Sequence, residues 1–485
     1  MLAVGDVYCY YIRELDQYSA CQILDIEGER ISNVVLDLLK KAPINLNDLN
    51  KIRPLAHGEY YYHQNNSVHN MPTSYIYVGN VNPILTVPTD LNSRQWPDGI
   101  EHIEMKEWNE IPEEESEAFE KYAYDQNPVV IGSRTYPRNH RHIDDELLAE
   151  IKDYSELDAF PCLEGVYIHR YYEGLFSYLK KRHLVREMYM MNHSPTCLDL
   201  RDSCFIQVGL NITGIHTLFL NDRTRELVIT GKAEPDFKIV EKNNGARTYI
   251  NYCVKSNKIS SYGLREIKDL TLHDFHELDA LVLAAEFPNL RRLFLKGSPG
   301  IVRNLGQLCK ISLLEDINII DVFGFTSDEI APFLELRSLF RFWMSNVPEE
   351  PGKYARKAFK NKVKNLLISK LRNPEWIIEN ASNPFISWDG DEGVPAAAYK
   401  KACLIYKDLK KKVLAATDRE GILLAVRNYT EALNQLDKRF KNFIETTQAE
   451  DLFQVVENLY EEKLAGKDIV SIEDVRQVME ENRKW

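Results

Sequence analysis

The chain has 485 residues, 44% of them hydrophobic and 27% charged, with a formal net charge of −13. That length exceeds what a single hydrophobic core organises and implies about three domains, while the composition is that of an ordinary globular protein. The acidic balance argues against a general nucleic-acid binder, which needs a basic surface to neutralise phosphates, and favours a basic partner only weakly.

Eight cysteines (9, 21, 162, 197, 204, 253, 309 and 403) are scattered without a CxxC pair. They read as reduced, mostly buried thiols, and neither a metal site nor a cofactor is expected. The opening residues lack the positive segment and apolar run of a secretory signal, and no window approaches the apolar length of a membrane span. A cytoplasmic protein without membrane or nucleic-acid partners is the expectation; the oligomeric state is open.

Residues 7–12, 20–24, 34–36, 60–62 and 75–78 are rich in β-branched and aromatic side chains and are separated by polar turns such as 25–29. Short strands this dense predict a compact, curved sheet. His57, His63 and His69 recur every six residues, a spacing that would place them on one face of a continuous strand and suit a metal. Gly58, Asn65 and Asn66 read as turn residues, which favours scattered surface histidines instead.

The opening segments Gly5-Asp6-Val7-Tyr8-Cys9-Tyr10-Tyr11 and Ala20-Cys21-Gln22-Ile23-Leu24-Asp25 resemble the start of immunity protein family twenty-six. That is one of the bacterial polymorphic-toxin immunity families. The resemblance implies a β-rich module and a cognate toxin domain as partner.

Between residues 101 and 120, nine glutamates face one lysine, a net of 1 − 9 = −8. A solvated acidic helix or linker accounts for this; the sharper alternative is an acidic patch, centred on Glu113, Glu114, Glu115 and Glu117, that steers a basic partner. In the segment 136–142, His140, His142, Arg138 and Arg141 gather as a basic loop, without the glycine-rich turn of a phosphate site. Leucine and tyrosine spacings from Asp144 to about Met191 predict helices.

A pattern L-x-x-L-x-L then returns five times: Ile267-Lys-Asp-Leu270-Thr-Leu272, Leu290-Arg-Arg-Leu293-Phe-Leu295, Leu314-Glu-Asp-Ile317-Asn-Ile319, Leu336-Arg-Ser-Leu339-Phe-Arg341 and Val363-Lys-Asn-Leu366-Leu-Ile368. The starts are 23, 24, 22 and 27 residues apart. This predicts a short leucine-rich-repeat ladder, whose units bury their apolar residues only by stacking. Arg341, where a leucine is expected, marks an irregular rung. Ile215-His-Thr-Leu218-Phe-Leu220 fits as a less regular first repeat, with further strands at 227–229 and 249–253.

Side-chain alternation assigns Asp269, Thr271, His273, Arg292, Phe294, Lys296, Asp316, Asn318, Phe340 and Phe342 to the open face as partner-binding candidates, together with Ile320, Ser338, Asn365, Leu367 and Ser369. Aromatics beside charges suit a protein interface; the alternative is that the C-terminal helices cover this face. The segment 273–277 holds metal-ligand types in the wrong order for a zinc-hydrolase helix and reads as a turn before a helix.

Seven basic residues and no acid lie within 351–370, read as solvated flanks of the last repeat. Beyond the loop 388–393, Ile422, Val426, Tyr429, Leu433, Leu436 and Phe440 form a helical stripe, and Thr447 and Ser471 read as helix caps. Residues 376–384, Trp388-Asp389 and Phe443-Ile444-Glu445-Thr446 resemble the tail of bacterial leucine-rich-repeat proteins of toxin-immunity loci.

The expected fold is α+β and multidomain: a curved β module (1–100), an acidic linker and helical connector (101–200), a leucine-rich-repeat domain (201–375) and a C-terminal helical cap (376–485). The expected function is an immunity protein that neutralises a toxin domain by steric occlusion, with no catalytic residues. The alternatives are a repeat scaffold without a toxin partner and an enzyme that reverses a toxin's modification; no phosphate loop, nucleophile elbow or metal spacing supports the latter.

Overall fold

The computed structural model describes all residues except 1, 13–14, 58–59, 68–70, 73, 87–95, 193–194, 255–258, 381–382, 392 and 465–468. The chain mixes helix and strand, with an antiparallel sheet near its N-terminus and helices near its C-terminus. It divides into two compact units, residues 1–165 with 174–186, and residues 166–173 with 187–485.

In the first unit, β1 (Asp6–Ile12), β2 (Gln17–Glu27), β3 (Arg30–Val35), β4 (His63–Ser67) and β5 (Ile76–Asn80) form a sheet in the order β4-β3-β2-β1-β5. Alternation sends Val7, Cys9, Ala20, Leu24 and Val34 to one apolar cluster, and Tyr10, Ile12, Cys21, Ile23 and Ile31 to another. Both faces are buried, which is why the strands read as near-continuous apolar runs. Asn65 and Asn66 lie within β4 and not in a turn; pairing with β3 and a 2.8 Å bond from Ser32 Oγ to Asn65 Oδ1 override their turn preference. His57 and His63 belong to different strands, so they share no continuous one, and His69 and Gly58 lie outside the described residues.

The acidic stretch forms two helices, Ile100–Asn109 and Glu113–Tyr122. From Asp144 to Met191 the helical expectation is corrected: helices cover only Asp145–Glu150 and Leu175–Leu179, and Gly165–Ile168 and Glu187–Met190 are strands. Leu147, Leu148, Leu175 and Leu179 are indeed buried, but on short separate elements whose spacings imitated one helix.

The second unit is a parallel strand ladder followed by helices. Its strands are β6 (Glu187–Met190), β7 (Gln207–Asn211), β8 (Glu226–Thr230), β9 (Tyr249–Cys253), β10 (Asp269–Asp279), β11 (Arg292–Arg303), β12 (Asp316–Phe323), β13 (Arg341–Pro348) and β14 (Asn365–Arg372), paired in that order. Between β6 and β9 the connections carry a second parallel row, Cys197–Asp199, Thr217–Phe219 and Lys238–Val240. The segment 215–220 therefore belongs to this second row and not to the main ladder. After β10 the connections carry helical turns instead, such as Ala280–Glu286, Leu305–Lys310 and Glu349–Phe359.

Glu187, Gln207, Glu226, Tyr249, Asp269, Arg292, Asp316, Arg341 and Asn365 hold one register position, so each step is 19 to 25 residues. The longer steps are those returning through helix, which advances about 1.5 Å per residue where a strand advances about 3.3 Å.

Inward-facing pairs fill the ladder: Leu270 and Leu272, Leu293 and Leu295, Ile317 and Ile319, then Phe342 and Met344. The last pair corrects the fourth repeat. Phe342 lies beside Ile317 and Met344 beside Ile319, so the motif is Leu339-x-x-Phe342-x-Met344 and not Leu336-x-x-Leu339-x-Arg341. The 3-10 turn Ala331–Glu335 takes up the intervening residues. With Leu339 as its start, the pattern Ile267, Leu290, Leu314, Leu339, Val363 steps by 23, 24, 25 and 24 residues.

Where β10, β12, β13 and β14 leave the shared sheet, Asp274, Asp321, Asn346 and Lys370 each adopt positive φ, between 46° and 57°. These residues turn the chain at one end of the ladder. Asn346 Nδ2 donates to buried Asp321, Arg372 Nε donates to Asn346 Oδ1, and Arg372 also reaches Asp389 Oδ2 at 2.6 Å.

The C-terminal helices α1 (Ala396–Ala415), α2 (Arg419–Arg439), α3 (Thr446–Lys463) and α4 (Ile472–Asn482) share one core, to which Phe385 and Trp388 contribute. The stripe on α2 is buried, with Phe440 packed at its edge. Ser471 caps α4, whereas α3 is capped by Glu445 with Gln448, two residues ahead of Thr447. Trp388 Nε1 donates to Asp451 Oδ2 at 2.7 Å, and Arg372 stacks over the Trp376 ring at 4.0 Å. Both contacts tie the tail to its neighbours.

Candidate functional site: the open face of the strand ladder

Parallel register turns the outward side chains into rows. The first row runs Tyr249, Asp269, Arg292, Asp316, Arg341, Asn365; the second Asn251, Thr271, Phe294, Asn318, Trp343, Leu367; the third Cys253, His273, Lys296, Ile320, Ser345, Ser369. The first row alternates in sign along four strands. Arg292 Nη2 donates to Asp269 Oδ2 at 2.8 Å, and Arg341 Nη1 to Asp316 Oδ2 at 2.9 Å. Burial raises the Asp316 carboxyl above its ordinary value, and the guanidiniums of Arg341 and Arg292 oppose that shift.

The structure brings together Asp269, Thr271, His273, Arg292, Phe294, Lys296, Asp316, Asn318 and Ile320 at equivalent positions of three strands, and Asn365, Leu367 and Ser369 continue them on β14. Two expectations on β13 change. Phe342 is 0% exposed, packed between Phe333 and Phe359 at ring separations of 5.8 and 5.0 Å, so it belongs to the core and not to the open face. Ser338 and Phe340 precede the strand, where Phe340 sits at the rim with the Arg341 guanidinium 5.6 Å from its ring.

Their places on the face are taken by Arg341, Trp343 and Ser345, which the slipped repeat boundary concealed. An even repeat period was the signal that could have found them. Arg341 lies 5.0 Å from the Trp343 ring, so the charged and aromatic rows touch. Leu367 is 51% exposed at the end of the aromatic row, and Asn251 Oδ1, further along it, is buried without a hydrogen-bond partner. Among the described residues, the face thus combines apolar, charged and unsatisfied polar groups.

The other charged segments serve mainly local roles. Glu113, Glu114 and Glu117 are exposed, but Glu115 accepts from His183 Nδ1 at 2.9 Å and from the Leu184 amide at 3.1 Å. In the basic loop, Arg141 pairs with Glu164, Arg138 lies over the Tyr122 ring, and half-buried His140 packs on Tyr136 and Phe160. Within 351–370, Lys353 pairs with Glu349, and Arg356 donates to the Ile368 carbonyl at 2.9 Å.

Segment 273–277 is part of β10 and not a turn leading into a helix. Its His273 stands beside Cys253 in register, with Asp274 next to both. Aligning the Ile250 and Tyr252 pair with Leu270 and Leu272 would have revealed this neighbourhood in the sequence.

No family model matches the chain, and no curated protein matches it. Among the described residues, no helix is long and apolar enough to cross a membrane.

Proposed function

We propose that this chain is an immunity protein of the cytoplasm that binds a cognate bacterial toxin domain through the open face of its ladder and neutralises it by covering its active site. The observation that carries this reading is the face itself. The sign-alternating row Asp269, Arg292, Asp316, Arg341 runs beside Phe294, Trp343 and Leu367. From Tyr249 to Asn365 the six neighbouring strands extend about 24 Å, at about 4.8 Å per step. A surface of that width suits a protein partner better than a small molecule, whose sites are concave and largely enclosed.

The ladder is read here as leucine-rich repeats. Its steps of 23 to 25 residues from Asp269 to Asn365 and its inward Leu and Ile pairs support this. The toxin as partner follows from the resemblance of the opening strands and of the tail to immunity-locus proteins. Binding alone suffices for such a role, and charge order along the face sets encounter and choice of partner.

The test is co-expression with the toxin domain encoded beside this gene. Growth should be rescued and the two proteins should co-purify. Failure on both counts overturns the proposal, and capture of a different partner from the native cell favours a scaffold.

A further inference from the structure

We propose that Cys253, His273 and Asp274 form a binding site for a divalent zinc-like ion, independent of partner binding. Cys253 and His273 are direct register neighbours on adjacent parallel strands, so their side chains leave the same face. Asp274 has φ of 57°, which turns its carboxylate back towards them. The thiol donates to Asp274 Oδ2 at 3.7 Å, and His273 Nδ1 lies 2.9 Å from the same oxygen. One ligand atom from each residue falls within 4.8 Å of the other two. Donors bound at about 2.0–2.3 Å in a tetrahedral zinc site lie roughly 3.3–3.8 Å apart, so small side-chain rotations suffice.

The site is particular to this rung. The equivalent positions are Lys296 on β11, Ile320 with Asp321 on β12, Ser345 with Asn346 on β13 and Ser369 with Lys370 on β14, and none of these combines a thiol with an imidazole. The left-handed turn is thus a property of the ladder, and this rung loads it with three different ligand types. Thiolate, imidazole and carboxylate together suit zinc over the hard cations, which prefer oxygen alone.

The order of the groups also argues against a cysteine nucleophile. In a catalytic arrangement the imidazole stands between thiol and carboxylate so that it can take the thiol proton. Here the carboxylate stands between thiol and imidazole. Metal binding as thiolate releases the thiol proton to solvent. Asp274 also lines a cavity of about 500 Å³ beside α3, with His276, Lys296 and Glu450, which gives a fourth ligand a route of approach.

The experiment is titration of metal-stripped full-length protein with cobalt(II), a spectroscopic substitute for zinc. One equivalent should produce thiolate-to-cobalt charge-transfer absorption, which zinc then displaces. Cys253→Ser should abolish the band, and Asp274→Asn should weaken binding tenfold or more. Absence of the band in the unaltered protein overturns the proposal, as does its persistence in Cys253→Ser, which would assign it to another thiol. If Cys253→Ser does not fold, Asp274→Asn decides alone, and affinity equal to that of the unaltered protein overturns the site.

Discussion

Arg341 lies one strand beyond Asp316 and donates to its carboxylate at 2.9 Å, while Asp316 is only 8% exposed. The same pairing occurs between Arg292 and Asp269 two strands earlier. The charged row therefore neutralises itself along the ladder, and a partner meets an ordered pattern of sign rather than a single-sign field.

Arg341→Met should lower stability by about 1–3 kcal/mol, because it strands a largely buried carboxylate. The sign with pH follows from the raised Asp316 value. The protonated form contributes stability that is fully present below the unfolded carboxyl value and is lost as pH rises through the folded value. Removing the cation should raise the folded value further, so the deficit should be larger at pH 7 than at pH 4. Denaturant unfolding at the two pH values measures this.

Phe342 and Trp343 are adjacent in sequence and opposite in role. Phe342→Ala should cost about 3–5 kcal/mol, since it empties a fully buried site between Phe333 and Phe359. Trp343→Ala, on the half-buried outer face, should cost clearly less. Equal losses in thermal unfolding would mean that the outer face is internal.

Asn346 joins two constraints: positive φ of 54° and hydrogen bonds to Asp321 and Arg372. Asn346→Ala loses both bonds and places a Cβ residue with no local hydrogen bonding in the left-handed region. The expected loss is about 2–3 kcal/mol by denaturant unfolding. Asn346→Gly, which relieves the backbone term, should lose less.

In the first unit, Glu101 is 3% exposed, and burial pushes its carboxyl up to about 7. Its neutral form contributes stability that is complete below about 4.5 and lost as pH rises through about 7. Neighbouring His102 is pushed down to about 4 by burial, so it opposes folding as pH falls from 6.5 towards 4. Glu101→Gln should therefore flatten the decline between pH 5 and 8, an effect of up to about 3 kcal/mol, without changing the acid side. A variant whose decline matches the unaltered protein would contradict this assignment.

The ladder was largely legible in the sequence because each rung repeats an inward apolar pair at a nearly fixed period, and only stacking can bury such pairs. Most outward positions followed from alternation. The fourth rung failed because Leu336 and Leu339 mimic the motif one turn too early, while the true inward pair is Phe342 and Met344. The second row around Thr217–Phe219 was concealed because a strand of three residues carries too little periodicity to announce which sheet it joins. Helices were over-read between Asp144 and Met191 because buried leucines on short, separate elements happened to fall at helical spacing. The meeting of Cys253 with His273 depends on register between distant segments, which no local pattern encodes.

The central claim is that the open ladder face holds the partner. The most direct test is the dissociation constant of the complex with the neighbouring toxin domain for the unaltered protein and for a Phe294→Glu, Trp343→Glu double variant, with circular dichroism and unfolding checked on both. The predicted result is a complex weakened thirtyfold or more, about 2 kcal/mol, by a variant that retains its fold. A folded variant that binds as tightly as the unaltered protein would contradict the account.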